Sequence, residues 1–142
     1  MRYLRFDLKR TRSQRLQSDK FALASEVWQR FTDNCFLCYR PVENLTADEK
    51  PFPSKARCRF TQCMAKKREK CGTKFWTLVD NDTKYLCNAF RYLGKDELGS
   101  ANESLQESVV IRLMSPYLNK GRNVTTDNLF KSASLCSDTQ RK

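Results

Sequence analysis

Two β-prone runs separated by a three-residue turn signal constrain this chain most. Residues 74–79, KFWTLV, and 83–90, TKYLCNAF, are rich in aromatic and β-branched side chains. Asp80, Asn81 and Asp82 stand between them, so the pair predicts an antiparallel hairpin. Its faces must be covered by apolar stripes from elsewhere. Residues 19–39 supply one: Ala24, Val27, Trp28, Phe31 and Cys35 recur at helical spacing, with Asp19 as the expected N-cap and Pro41 as the stop. A second helix is expected after Ser104 and Glu107, which form a capping box; Leu105, Val109, Val110, Leu113, Met114 and Tyr117 make its apolar face. Residues 43–48, bounded by Pro41, Pro51 and Pro53, read as one short strand, and residues 124–127 as another. Residues 128–135 read as the start of a further helix. The first 18 residues show no sustained period and read as a polar arm. The order helix, strand, hairpin, helix, strand predicts an α/β fold with a mixed sheet and flanking helices.

Composition narrows the chemistry. The chain of 142 residues has no histidine, which excludes Ser-His-Asp and Cys-His catalysis and Cys₂His₂ zinc sites. Its net charge of +11 suggests a polyanionic partner, nucleic acid before membrane. No run approaches the roughly 20 apolar residues that span a bilayer, so no membrane partner is expected. The N-terminus is basic without the apolar stretch of a signal peptide, although its arginines also fit a transit peptide. Seven cysteines, an odd number at irregular spacing, are expected as reduced thiols. Cys35 and Cys38 form a CxxC with no second pair to complete a zinc site, so no zinc is expected and a redox or zinc protein is the lesser alternative.

The densest basic patch runs over residues 50–74, where nine Lys or Arg face only Glu69. A solvated surface is the bland reading. The interleaved Phe52, Phe60 and Phe75 favour nucleic acid, because cations contact phosphate while aromatic rings stack on unpaired bases. Without histidine, the candidate catalytic groups are acids at strand ends. Asp48 and Asp127 each close a β-prone run. Strands distant in sequence can bring such carboxylates together, and a hard divalent cation would then relieve their repulsion. A turn or cap role is the bland alternative for each.

Four ordered blocks carry a family resemblance. RFDLKRTRSQRLQSDKFALASEVWQRF, ENLTADEKPFPSKARCRFTQCM, GTKFWTLVDNDTKYLCNAFRYLGKDE and VVIRLMSPYLNKGRNVTTDNLF resemble consecutive blocks of piggyBac-type transposases over residues 4–135. The resemblance implies a catalytic core of RNase H-like fold bearing three aspartates. It implies cleavage of transposon ends with Mg²⁺ or Mn²⁺, DNA hairpins on the excised element, insertion at TTAA sites, and a nuclear location. The block T-x-DE-x-x-F maps the first catalytic, metal-binding aspartate to Asp48, and NVTTDN maps the second to Asp127. The basic stretch would line the DNA-facing side through Lys55, Arg57, Arg59, Lys66, Lys67, Arg68, Lys70 and Lys74.

The third aspartate lies well downstream in the family, and Asp138 is only 11 residues past Asp127, too close to replace it. Arg68, Cys71, Thr73 and Lys50-Pro51 also depart from the family's usual residues. The expectation is therefore an incomplete RNase H-like sheet. Residues 1–40 would end an N-terminal dimerisation and DNA-binding region, with a possible homodimer contact. Residues 41–135 would form the first part of the catalytic domain, and residues 136–142 a tail. Alone, such a chain should not cut DNA; a domesticated, non-catalytic DNA-binding protein is the alternative.

Overall fold

A computed structural model of the chain describes residues 7–54, 61–63, 71–93 and 105–127. Its first element is a helix, α1, Lys9–Ser18, where a polar arm is expected from the sequence. None of its residues is buried, so no apolar stripe was there to announce it. Local chemistry accounts for the helix. Its Lys, Arg, Gln and Leu residues favour helix, and the carboxylate of Asp7, just before the first turn, takes Arg12 at 2.6 Å and also pairs with Arg15.

Asp19 does not cap the second helix. Its N–H closes α1 onto the Arg15 carbonyl at 2.8 Å, while its carboxylate accepts from the Phe21 N–H and pairs with Arg91. A tight turn around buried Ala22 follows, and α2, Ser25–Cys38, begins later than the apolar period suggests. Trp28 and Cys35 point inward from α2, whereas Val27 and Phe31 remain 41% and 46% exposed. The expected stripe is thus only partly covered.

Strand β1, Asn44–Pro53, includes Pro51 and Pro53, two of the three prolines expected to bound it. Antiparallel pairing with β3, Cys71–Asp80, explains why. The Asn81 N–H reaches the Asn44 carbonyl and the Ser54 N–H reaches the Cys71 carbonyl. The even-numbered residues of β1 therefore bond β3, and the odd-numbered ones face the opposite edge. Pro51 and Pro53 place their missing donors on that edge, beyond the last residue paired there, Ala47.

The predicted hairpin is present. β3 turns through residues 81–83 into β4, Leu86–Arg91, with a bulge at Leu78/Val79. The two-residue strand β2, Gln62–Cys63, pairs with the start of β3. Helix α3, Leu105–Met114, and a 3₁₀ turn, Ser115–Tyr117, lead past Gly121, at φ +61°, into β5, Asn123–Thr126, which pairs parallel to β1. Ser104, the expected cap of α3, and the further helix expected over residues 128–135 lie outside the described residues. The five strands lie with β2 and β4 beside β3, then β1, then β5.

α3 covers one face of this mixed sheet. Leu45, Ala47, Trp76, Leu78 and Phe90 pack there on Val109, Leu113 and Tyr117. Asn88 donates to the Leu113 carbonyl and the Tyr117 hydroxyl to the Cys87 carbonyl, so polar groups at the end of α3 are satisfied inside the core. On the other face Phe75 lies 4.4 Å from Trp28 and 6.2 Å from Phe21. Among the described residues no helix is long and apolar enough to cross a membrane.

Asp80 is fully buried. Burial disfavours its charge, but the N–H groups of Thr83, Val42 and Asp82 and the Tyr39 hydroxyl outweigh that and lower its pKa to about 2. Because the folded pKa lies below the unfolded value, this stabilisation is complete above about pH 4. We expect about 2 kcal/mol to be lost as pH falls from about 4 through about 2, with a shallower acid loss in Asp80→Asn, read from chemical denaturation across that range. Gly72 leaves room for the β1 backbone, since an added Cβ would overlap the Phe52 carbonyl. Gly72→Ala should cost about 1–3 kcal/mol in the same measurement.

Candidate functional site

The β1–β5 pairing assembles the site. Its register joins Asn44 to Asn123, Leu45 to Val124, Thr46 to Thr125 and Ala47 to Thr126. The next residue on each strand is an aspartate, Asp48 on β1 and Asp127 just past β5. Adjacent strands lie about 4.8 Å apart, and residues in register share a face. Two acids that are 79 positions apart in sequence therefore stand side by side. They complete a polar ladder in which Asn123 donates to Asn44 at 3.0 Å and Thr46 stands beside Thr125. Alternate residues Leu45, Ala47 and Val124 face the α3 core instead.

Both aspartates are exposed. The Asp48 Oδ1 accepts the Glu49 N–H at 2.6 Å, and its carbonyl accepts the hydroxyl of buried Thr77 at 3.1 Å. Thr77 is a supporting residue that sequence reading missed; its position opposite Asp48 in β3 is the only signal, and it needs the register. Two adjacent carboxylates repel each other and form a hard-oxygen donor set suited to a divalent cation. Among the described residues no group of three or more potential ligands comes together.

The basic residues fall out differently. Lys55, Arg57, Arg59, Lys66, Lys67, Arg68 and Lys70 lie outside the described residues. Lys74 sits on the face opposite Asp48, 2.6 Å from Glu49 and over the Trp76 ring at 4.1 Å. Its charge is neutralised within the fold, which departs from the expectation that it faces DNA. The two described cations of the patch, Lys50 and Lys74, fall on opposite faces of the sheet, since Lys50 pairs with Phe75 and Lys74 with Pro51 in the β1–β3 register. Phe75 of the same patch is core, whereas Phe52 is 48% exposed.

The cysteines divide as well. Cys35, Cys38 and Cys87 are free thiols. Burial raises the Cys35 pKa and pushes the Cys87 thiol up to about 11, while Cys38 is exposed. Cys71 is disulfide-bonded, contrary to the expectation of uniformly reduced thiols. Cys63 is the residue opposite it in the β2–β3 register.

This sheet, with Asp48 within β1 set beside Asp127 just past the end of the parallel strand β5, has the architecture of part of an RNase H-like catalytic domain. It is similar to a piggyBac transposase seen in a cryo-EM structure of its synaptic complex with hairpin DNA, at 32% identity and a TM-score of 0.89. That match covers 97% of this chain and 29% of the transposase, so the chain spans less than a third of that protein's length. The family described as Transposase IS4 matches residues 1–142, and the chain belongs to that family as a piggyBac-type member. A search of curated proteins returned no match.

Thiol exposure gives a direct test of the packing. In the folded chain, N-ethylmaleimide should modify Cys38 rapidly and leave Cys35 and Cys87 protected until denaturant is added, as read by peptide mass spectrometry. Equal labelling of Cys35 and Cys38 without denaturant would contradict the packing of α2 on β4.

Proposed function

We propose that this chain carries two of the metal-binding aspartates of a piggyBac-like transposase and acts, with further acidic donors, in cleavage and transfer of DNA strands at transposon ends. The observation that carries this reading is the register that sets Asp48 beside Asp127. The two exposed carboxylates fit Mg²⁺ or Mn²⁺ by donor chemistry, and the Glu49 N–H and Thr77 hydroxyl hold Asp48 in place. Such an ion supplies charge stabilisation to a reacting phosphodiester. The chain's own residues orient the carboxylates and present an exposed polar face to the strand.

DNA is the proposed partner, in line with the +11 charge and with the hairpin-DNA complex of the similar transposase. On this reading Lys55, Arg57, Arg59, Lys66, Lys67, Arg68 and Lys70 contact its backbone. Transposon ends with TTAA targets, a homodimer contact through residues 1–40 and a nuclear location belong to the same proposal. Two carboxylates are fewer donors than a two-metal site needs, so this chain by itself binds metal weakly and does not cut.

Paramagnetic broadening by Mn²⁺ tests the site. Amide resonances of residues 47–48 and 126–127 should broaden first. Asp48→Asn and Asp127→Asn should each lower the apparent Mn²⁺ affinity about tenfold or more, in keeping with the loss of a first ligand. Unchanged broadening in both variants would refute the paired-carboxylate reading. Nicking of DNA by the chain alone, lost in Asp48→Asn, would refute its proposed inactivity.

A further inference from the structure

Beyond Asp48, β1 continues for five residues with no β5 beside it. The side chains that share the face of Asp48 on this stretch are Lys50 and Phe52, each about 7 Å beyond the last. Lys50 is exposed, and its side chain makes no hydrogen bond or ion pair with any described residue. This sets it apart from Lys74, Arg91 and Arg122, which are held by Glu49, Asp19 and the carbonyls of Pro41 and Val42.

Phe52 leans edge-on against Phe75, with ring centroids 5.3 Å apart and planes at 88°. Phe75 is itself backed by Trp28 at 4.4 Å. The Phe52 ring is thus braced from beneath while about half of it stays open. On the outer side, the Pro51 and Pro53 nitrogens leave the edge without N–H groups at those positions, which disfavours capture of another β-strand there.

Carboxylates, a free cation and a braced, exposed ring follow one another along a single strand face. We propose that Lys50 and Phe52 form a subsite for an unpaired nucleotide flanking the phosphate held at the acids: Lys50 contacts a backbone phosphate and Phe52 stacks on the base. This rests on the metal-site reading above for its orientation. A cation beside two carboxylates lets a polyanion approach. An aromatic platform needs a base free of its own stack, so the subsite favours single-stranded or melted DNA over intact duplex.

Binding of the full chain to two probes in Mg²⁺ buffer tests this. One is a single-stranded 12-nucleotide DNA carrying 2-aminopurine at successive positions; the other is a blunt duplex of the same sequence. Lys50→Gln should reduce the slope of log K against log salt on the single strand by about 0.7, one phosphate contact. Phe52→Ala should weaken single-strand binding roughly tenfold, abolish 2-aminopurine quenching at one position, and leave duplex binding unchanged. Phe52→Tyr should restore both readouts.

The Lys50 side chain makes no hydrogen bond or ion pair with a described residue, so its variant reads binding even if Phe52→Ala impairs folding. If the wild type binds the single strand while both variants match it in affinity and slope, the subsite is overturned and the metal site stands. Equal loss on duplex and single strand in Phe52→Ala would mark a structural role and overturn the stacking. No binding by the wild type would overturn this subsite and the DNA partner together, whereas loss of Mn²⁺ binding bears only on the acids.

Discussion

A buried carboxylate at the hairpin turn sets the geometry on which the rest depends. Asp80 has no exposure, and an ion in that position is tolerated only if its lone pairs are met by donors. It draws them from three places: Tyr39 after α2, Val42 in the approach to β1, and Asp82 and Thr83 in the turn. These bonds fasten the entry to β1 against the end of β3. Asn81, next in the turn, takes the hydroxyl of Thr46 and bonds the Asn44 carbonyl. The pairing of Leu45 with Asp80 follows, and with it the whole β1–β3 register. A slip of one residue would send Asp48 to the α3 face and Leu45 to water, so the site inherits its orientation from this turn.

β5 is held by other means. It has only four residues, and its pairing with β1 closes a crossover that runs through β3, β4 and α3. α3 buries Val109, Val110, Leu113 and Met114 against the sheet, so the chain leaving it is delivered to the β1 edge. Arg122 then bonds the carbonyls of Pro41 and Val42, and the Asn123 N–H bonds that of Glu43. Each contact fixes the start of β5 against the start of β1. The acids lie four residues farther on, where the ladder between the two strands ends and both side chains stay exposed.

The parts of this arrangement legible in sequence are those that bury apolar surface with a clear period. The hairpin, its Asp80-Asn81-Asp82 turn and the inner face of α3 could be read directly. α1 could not, because a helix that buries nothing leaves no stripe, and Asp19 looked like a cap because a cap and a turn use the same side-chain chemistry. β1 looked shorter than it is because prolines were read as breaks. Their tolerance depends on which edge their nitrogens face, and that is a property of the pairing. Asp48 and Asp127 could each be named as acids closing β-prone runs, but their roles as a catalytic pair came only with the resemblance to piggyBac-type transposases, since nothing in residues 44–48 or 123–127 announces that the two strands are neighbours.

Consecutive acids Asp48 and Glu49 show how one strand separates structure from chemistry. The pleat sends them to opposite faces. Glu49 enters the α3 side, where Lys74 meets it at 2.6 Å and Trp76 and Tyr92 lie beneath the ammonium. An acid there needs a partner because partial burial makes an isolated charge costly, and the cation opposite it in space supplies one. Asp48 emerges on the other face beside Asp127, where the nearest charge in register has the same sign. A fold selected for stability alone gains nothing from that juxtaposition. Its presence at the end of an otherwise uncharged Asn–Thr ladder sets this pair apart from an ordinary strand position, and sequence spacing could not reveal it because both acids look alike until the pleat has sorted them.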